Sequence, residues 1–295
     1  MLPMQRAERA SSTPQASPSA HENTEKPLVS VVTAVYNGAT WLRRAMESVF
    51  TQTYPHIEYV VIDGGSRDGT ITILREYEDR LAYWCSESDH GIADAFNKGI
   101  RASHGAFHIL LNADDWWEPR AVEQLVNAVS PDTVVACAHA RLVTPYHGSA
   151  GILISEPRKL YWKMSLVHGT CLMRTEAWRE LGGYRVDKRI AMDHHLMLGA
   201  YQRYGPKAFR VAEALLVNYQ LGGVSDRRIR CGFEEVRENI RQVTGRRWRA
   251  NLAFALLLAK HYSTRLRTLR AMRTWGKSRR LLRSESAVVD ERPVE

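Results

Sequence analysis

The sequence predicts an α/β protein: a Rossmann-like, mostly parallel sheet flanked by helices, with a basic helical extension at its C-terminal end. Three observations predict it. Short β-branched apolar runs alternate with helical patterns from Pro27 to His139, the pattern of strand–helix–strand units. The first of those runs is nearly continuous in apolar character, as expected of a strand covered on both faces. Finally, twelve Lys or Arg and no Asp or Glu lie between Arg246 and Arg283. Formal charge is +9, so those twelve cations exceed the total and the rest of the chain is slightly acidic. The basic character belongs to a tail, not to the main domain.

Residues 1–26 are rich in Ser, Pro, Ala and charge and read as a disordered leader. "LVSVVTAVY" is then the first strand, and "NGATWLRRAMESVFTQ" carries Leu42, Ala45, Met46 and Val49 at helical spacing. "IEYVVID" is a second strand, stopped by the turn-forming "GGSRDGT", and a helix follows from Ile71. "LAYWCSE" and "AFHILLNA" read as strands, with the helix "GIADAFNKGIRAS" between them. "PRAVEQLVNAV" is a helix with Pro119 near its first turn, and "DTVVACAHA" a fifth strand. Beyond His139 the spacing predicts a strand, a short helix from Thr175 with a Gly-Gly stop, a helix with Asp193 near its start, and two short strands in "FRVAEALLVNYQLGG". From Ser225 on, the pattern is helical and increasingly basic.

Hydrophobic residues make up 44% of 295, enough for a sizeable core. Cys85, Cys137, Cys171 and Cys231 are far apart and include no C-x-x-C pair, so reduced thiols in a cytosolic protein are expected rather than a zinc or redox motif. The N-terminal region carries no long apolar stretch of the kind a secretory signal needs. "LAFALLLA", Leu252 to Ala259, is too short for a bilayer, which takes about 20 residues.

Four successive strands end in polar groups: Tyr36 and Asn37, then Asp63, then Glu87 and Asp89, then Asn112, Asp114 and Asp115. In open α/β sheets, ligands bind outside such carboxyl ends. Paired carboxylates there suit a hard cation such as Mg²⁺ or Mn²⁺, which keeps several waters and bridges substrate phosphates. With no GxGxxG or P-loop present, the pattern favours a metal-assisted nucleotide site over a nicotinamide site. An acid pair alone is equally at home in a turn or at a helix N-cap.

The segment "PLVSVVTAVYNGATWLRRAMESVFTQTYPHIEYVVIDGGSRDGT" resembles the start of glycosyltransferase family 2, the nucleotide-diphospho-sugar transferases of GT-A fold. "ESDHGIADAFNKGI" resembles the stretch before that family's metal motif, "LLNADD" its D-x-D motif, and "AMDHH" its acidic catalytic motif. The likeness runs from Pro27 to Gly223 and is nearest to bacterial transferases of exopolysaccharide assembly, such as the colanic-acid type. It implies a leader over 1–26, a GT-A domain over 27–225, and a helical basic extension over 226–295 with a disordered end.

The resemblance implies roles residue by residue. Thr33, Tyr36 and Asn37 would line the nucleotide pocket, Asp63 would meet the base, and Asp94, Asn97 and Lys98 would close over the nucleotide. Asp114 would be the principal metal ligand, with Asp115 beside it. Asp193 would be the general base of an inverting transfer, with Mg²⁺ or Mn²⁺ as cofactor and a UDP-sugar as the expected donor. The first acid of the D-x-D motif is Asn112 here, which can accept from a ribose hydroxyl but supplies no charge. Only the second acid of the catalytic motif is present, after Met192. The acceptor would be a glycan or lipid-linked sugar, at the cytoplasmic face of the membrane.

Blander roles compete with these. Asp193 also suits a helix N-cap, the lesser reading beside the base, Asp68 in "SRDGT" suits turn and capping chemistry, and Trp116, Trp117 and Trp162 suit the core. His168 borders either the acceptor or the core, and of His194 and His195 one packs while the other is solvated. "EPRKLYWKMSLVHG" reads as an acceptor-side or membrane-facing surface. In the tail, Leu266, Leu269 and Met272 among Arg265, Arg267, Arg270 and Arg273 suit an anionic membrane surface; no nucleic-acid-binding signature accompanies them. Two rivals remain. A nucleotidyl transferase would bring a Gly-rich, basic first loop that "VYNGATW" lacks, and a catalytically weak nucleotide-sugar sensor is suggested by Asn112.

Overall fold

The computed structural model describes residues 26–144, 148–223 and 227–263. The chain enters its sheet at β1 (Val29–Val35), passes through α1 (Ala39–Phe50) to β2 (Ile57–Asp63), then α2 (Thr70–Glu76) to β3 (Tyr83–Ser86), then α3 (Ile92–Arg101) to β4 (Phe107–Leu110). There follow β5 (Trp116–Trp117), α4 (Ala121–Asn127), β6 (Val135–Val143), β7 (Ser149–Leu153), β8 (Leu172–Arg174), α5 (Thr175–Glu180), α6 (Met192–Tyr204), β9 (Phe209–Gln220) and α7 (Ile229–Thr244). Residues 247–263 are helical, here α8. The leader, apart from Lys26, and the tail residues Arg265 to Arg273 lie outside the described residues.

The sheet runs β3–β2–β1–β4–β8–β6–β9–β5, with β7 on β6. β1 to β4 are parallel, β8 is antiparallel to both its neighbours, β6 and β9 are parallel, and β5 and β7 pair antiparallel. It is an α/β fold with a mixed sheet, wholly parallel from β1 to β4 and mixed beyond. β1 lies between β2 and β4, so the connections diverge on either side of it, and a crevice opens there beyond the strand ends.

Strand alternation sorts the core. Val32, Ala34, Val60 and Ile62 pack with α3 and α6, whereas Val29, Val31, Val35, Tyr59 and Val61 pack with α1 and α2. All seven residues of β1 are buried, at about 1.5–3 kcal/mol for each large aliphatic side chain. This explains the unbroken apolar runs. α7 and α8 are also built on this core: Val236, Ile240, Ala250 and Ala253 lie in the α3–α6 layer.

Two strands escaped the sequence pattern. β5 has two residues, too few for any periodicity, and β7 is an exposed edge strand. The two short strands expected after Phe209 are one strand of 12 residues, whose register against β6 shifts around His139. The expected Gly-Gly stop after α5 is present. A Cβ at Gly183 would lie 2.9 Å from Asn97 Oδ1, so only glycine lets that segment close on α3. The four cysteines are free thiols, Cys137 and Cys171 buried.

Candidate active site

A cleft of about 450 Å³ opens at the β1/β4 crevice. Tyr36, Asn37, Gly38 and Trp41 line one wall, and Asp89, Gly91 and Ile92 another. Asn112, Asp114, Asp115, Tyr219 and Gln220 close it. The first wall is held by a chain of hydrogen bonds. Asp63 is fully buried and accepts from Gly65 N (3.0 Å), Ser66 N (2.9 Å), Ser86 Oγ (2.6 Å) and Ser66 Oγ. Ser66 Oγ in turn accepts from Asn37 N at 2.7 Å. Asn37 sits at φ 50, a left-handed conformation that Asn tolerates better than most residues, and its Oδ1 accepts from Arg67 N at 3.0 Å.

Several residues expected at the nucleotide are bonded to other groups within the protein. Asp63 has both oxygens bonded to its own turn and to Ser86, and is not among the cleft's lining residues. Thr33 is fully buried, its hydroxyl 3.0 Å from Tyr59 OH, because it shares the odd-numbered face of β1 that points to α1. Asn97 clasps Tyr184, accepting from its N at 2.9 Å and donating to its O at 2.7 Å. Lys98 pairs with Glu87 at 2.9 Å and Asp94 at 3.4 Å. None of these five lines the cleft. Of the expected residues, the cleft gathers Tyr36, Asn37, Asn112, Asp114 and Asp115.

Asp115 and Asn112 are tied together. Asn112 Nδ2 donates to Asp115 Oδ2 at 3.0 Å, and Gln220 N donates to Asp115 Oδ1 at 2.8 Å. Asp115 is 2% exposed; burial and the neighbouring Asp114 charge push its carboxyl up. Both its oxygens are spent on holding the loop after β4 to β9. This gives a physical reason for Asn112: its amide donates to Asp115 Oδ2, where a carboxylate would set a further negative charge against it. Arg44 braces the same loop, lying 3.5 Å over the Trp116 ring and donating to Asp114 O at 3.3 Å.

Asp114 lines the cleft beside Asp115, with Asp89 on another wall. Among the described residues, no cluster of three or more His, Cys, Asp or Glu is placed to hold a metal ion. Mg²⁺ needs only one or two carboxylates when substrate phosphates and waters supply the rest. Asp114 fits that reduced role; Asp115, as placed, does not.

A second cavity, also about 450 Å³, adjoins the first and shares Asn112 and Tyr219 with it. Its walls are largely apolar, including Leu142, Leu166, Val167, Phe233 and Leu257, and Asp193 and His168 lie among them. Asp193 stands in the first turn of α6. Burial pushes its carboxyl up to about 6, against the His194 N–H bond at 2.6 Å that favours the charged form. Glu235 on α7 fastens the segment before α6, accepting from Arg189 N, Ile190 N and Ala191 N at 2.7–2.9 Å. His168 is held neutral by burial, at about 4, and lies 3.0 Å from Tyr184 OH. His194 packs with Nε2 2.8 Å from Leu160 O, and His195 is half-buried.

Sequence reasoning missed Trp41, Tyr219 and Gln220, and named Asp89 as a strand-end acid without giving it a role. Trp41 follows the end of the first strand closely, so its position is a usable signal. Gln220 carried no local signal, since it reaches the cleft through β9. Its Nε2 is buried without a hydrogen-bond partner, an omission that costs about 1–3 kcal/mol until an acceptor arrives. Trp117 is core, donating Nε1–H to Gly169 O at 2.8 Å.

An open α/β sheet with a ligand-sized crevice at its topological switch point, beside a cavity holding a half-buried carboxylate, is a GT-A-like fold. The chain belongs to glycosyl transferase family 2, whose model matches residues 30–181. It is 30% identical over 191 residues to an uncharacterized glycosyltransferase of Rickettsia typhi, covering 59% of each chain. It thus spans less than two thirds of that relative's length. Two solved structures share the fold. S. aureus TarS 1–349 in complex with UDP has a TM-score of 0.60 at 17% identity, over 80% of this chain and 72% of that one. The mannosyltransferase PcManGT from Pyrobaculum calidifontis, in complex with GDP-Man and Mn²⁺, has 0.57 at 19% identity, over 91% and 89%.

Proposed function

We propose that this chain is an inverting glycosyltransferase, moving a sugar from a nucleotide-diphospho-sugar to a hydroxyl of a lipid-linked or polysaccharide acceptor in cell-surface glycan assembly. The observation that carries this reading is the junction of the two cavities at Asn112 and Tyr219. A sugar reaching across it from the cleft would meet an acceptor oxygen beside Asp193. That carboxylate takes the acceptor proton as the oxygen attacks the anomeric carbon, and the bond to the diphosphate breaks with its electron pair on the departing oxygen. A base near the working pH is the efficient choice, and the raised value at Asp193 suits it. General-base assistance is worth roughly 10²–10⁴-fold, about 3–5 kcal/mol. Tyr36, Trp41 and Asn37 would hold the nucleoside, and Gln220 Nε2 would donate to a ligand oxygen. Asp114 would hold Mg²⁺ or Mn²⁺, which supplies charge neutralisation at the departing diphosphate when bound.

The apolar walls around Asp193 support an acceptor with a lipid portion. So does α8, which exposes Trp248, Leu252, Leu256 and Tyr262 along one side and begins a run without acids that extends to Arg283. Such a face suits peripheral contact with an anionic membrane, at the cytoplasmic side. No helix among the described residues is long and apolar enough to cross a membrane.

The test is a panel of UDP- and GDP-sugars assayed for hydrolysis or transfer with Mg²⁺ or Mn²⁺. The transferase reading expects metal-stimulated turnover of at least one donor, lost in Asp114→Asn. The sensor reading has its own support in Asn112 and in the inward-turned Asp115, and expects tight sugar-nucleotide binding with no turnover under any metal.

A further inference from the structure

A third cavity, about 570 Å³, lies on the far flank of the cleft. It shares Asp89, Gly91 and Ile92 with the donor cleft and Ile190 with the Asp193 cavity. Its remaining polar lining is cationic or neutral: Lys188, Arg189, Arg228 and His90. Lys188 stands out because it is 7% exposed and has no hydrogen bond or ion pair from its ammonium among the described residues. The nearby acids bond other partners, Asp187 with Arg185 at 2.7 Å and Glu238 with Arg241 at 2.7 Å, and interact with Lys188 only through space. Asp89, the cavity's one acid, accepts from Gly91 N at 2.8 Å. A lysine held mostly within the fold, its ammonium without a hydrogen-bonded counter-charge, is a ready partner for an incoming anion. Two arginines at the same cavity add charge that a carboxylate or phosphate would match.

We propose that this cavity is an anion seat belonging to the donor site, with Lys188 as its buried anchor and Arg189 and Arg228 as its rim. It takes a phosphate or carboxylate group of the bound sugar nucleotide. The seat rests on reading the adjoining cleft as a sugar-nucleotide site. It also compensates for the thin acid set at Asp114: where one carboxylate recruits a cation weakly, fixed cations on the protein carry part of the donor's negative charge. The group seated is either the diphosphate itself or an acidic substituent on the donor sugar.

Calorimetric titration of the full chain with inorganic pyrophosphate, UMP, UDP, UDP-glucose and UDP-glucuronate tests this, in wild type, Lys188→Gln, Lys188→Arg and the exposed pair Arg189→Gln/Arg228→Gln. The seat requires at least a tenfold loss for a diphosphate or acidic-sugar ligand in Lys188→Gln, a loss in the same direction in the rim pair, and recovery to within about threefold in Lys188→Arg. A loss for pyrophosphate, UDP and both sugar nucleotides, with UMP spared, assigns the diphosphate. A loss confined to UDP-glucuronate assigns the sugar carboxylate. Pyrophosphate binding that depends on Lys188 while every nucleotide fails to bind keeps an anion seat but removes the donor reading. Equal affinities in wild type and in the folded rim pair overturn the seat, as does a wild type that binds none of the five.

Discussion

At the residue scale, charge placement decides which acids act. Three carboxylates have three different fates. Asp63 is saturated by backbone and hydroxyl donors and holds a turn. Asp115 is buried between Asn112 and Gln220. Asp193 sits among apolar side chains and titrates near 6. From this, transfer rate falls tenfold per pH unit below about 6 and levels above it, because the base must be unprotonated; a rate profile with saturating donor reads this. Asn112→Asp sets a second carboxylate against Asp115 Oδ2. Like charges at that range disfavour joint ionisation, so thermal stability of that variant without metal drops as pH rises through neutrality, by about 1–2 kcal/mol relative to wild type. A variant as stable as wild type at pH 8 would remove the reason given for the amide.

At the scale of elements, the site depends on two loops fastened to each other. Asp68 bridges them: its Oδ2 accepts from Ala39 N at the start of α1, and its Oδ1 from Thr70 N and Oγ1 at the start of α2. Asp68→Ala removes a cap from both helices and costs about 1–2 kcal/mol, seen in the midpoint of chemical denaturation. Sugar-nucleotide affinity falls with it if Asn37 loses its place. This capping role was legible in "SRDGT", since Asp two residues before Thr at a helix start has few other uses. The strand–helix alternation of the first half was equally legible, because local periodicity carries it. The roles of Thr33 and Asn97 were not. A motif position fixes where a residue stands along a strand or helix, whereas its function depends on which face the alternation presents. Gln220 was invisible for a related reason, since pairing between β9, β5 and the Asp115 loop is set by contacts across more than a hundred residues.

At the scale of the whole molecule, two cavities meet at one junction, and α8 links the second of them to an exposed apolar surface: Leu257 lines the Asp193 cavity while Trp248, Leu252 and Leu256 face outward. A protein lying on a membrane through α8 would present that cavity to acceptors held in the same surface. Replacing Trp248, Leu252 and Leu256 by Ser leaves the core intact, so sedimentation with vesicles containing anionic lipid should drop severalfold while sugar-nucleotide binding holds. Unchanged sedimentation would detach α8 from any membrane role. The most direct measurement of the proposed chemistry compares Asp193→Asn with wild type, following sugar transfer to acceptor and sugar-nucleotide binding in the same preparation. Transfer should fall by about 10²–10⁴-fold with donor affinity retained within about threefold; transfer at the wild-type rate would show that Asp193 does not take the acceptor's proton.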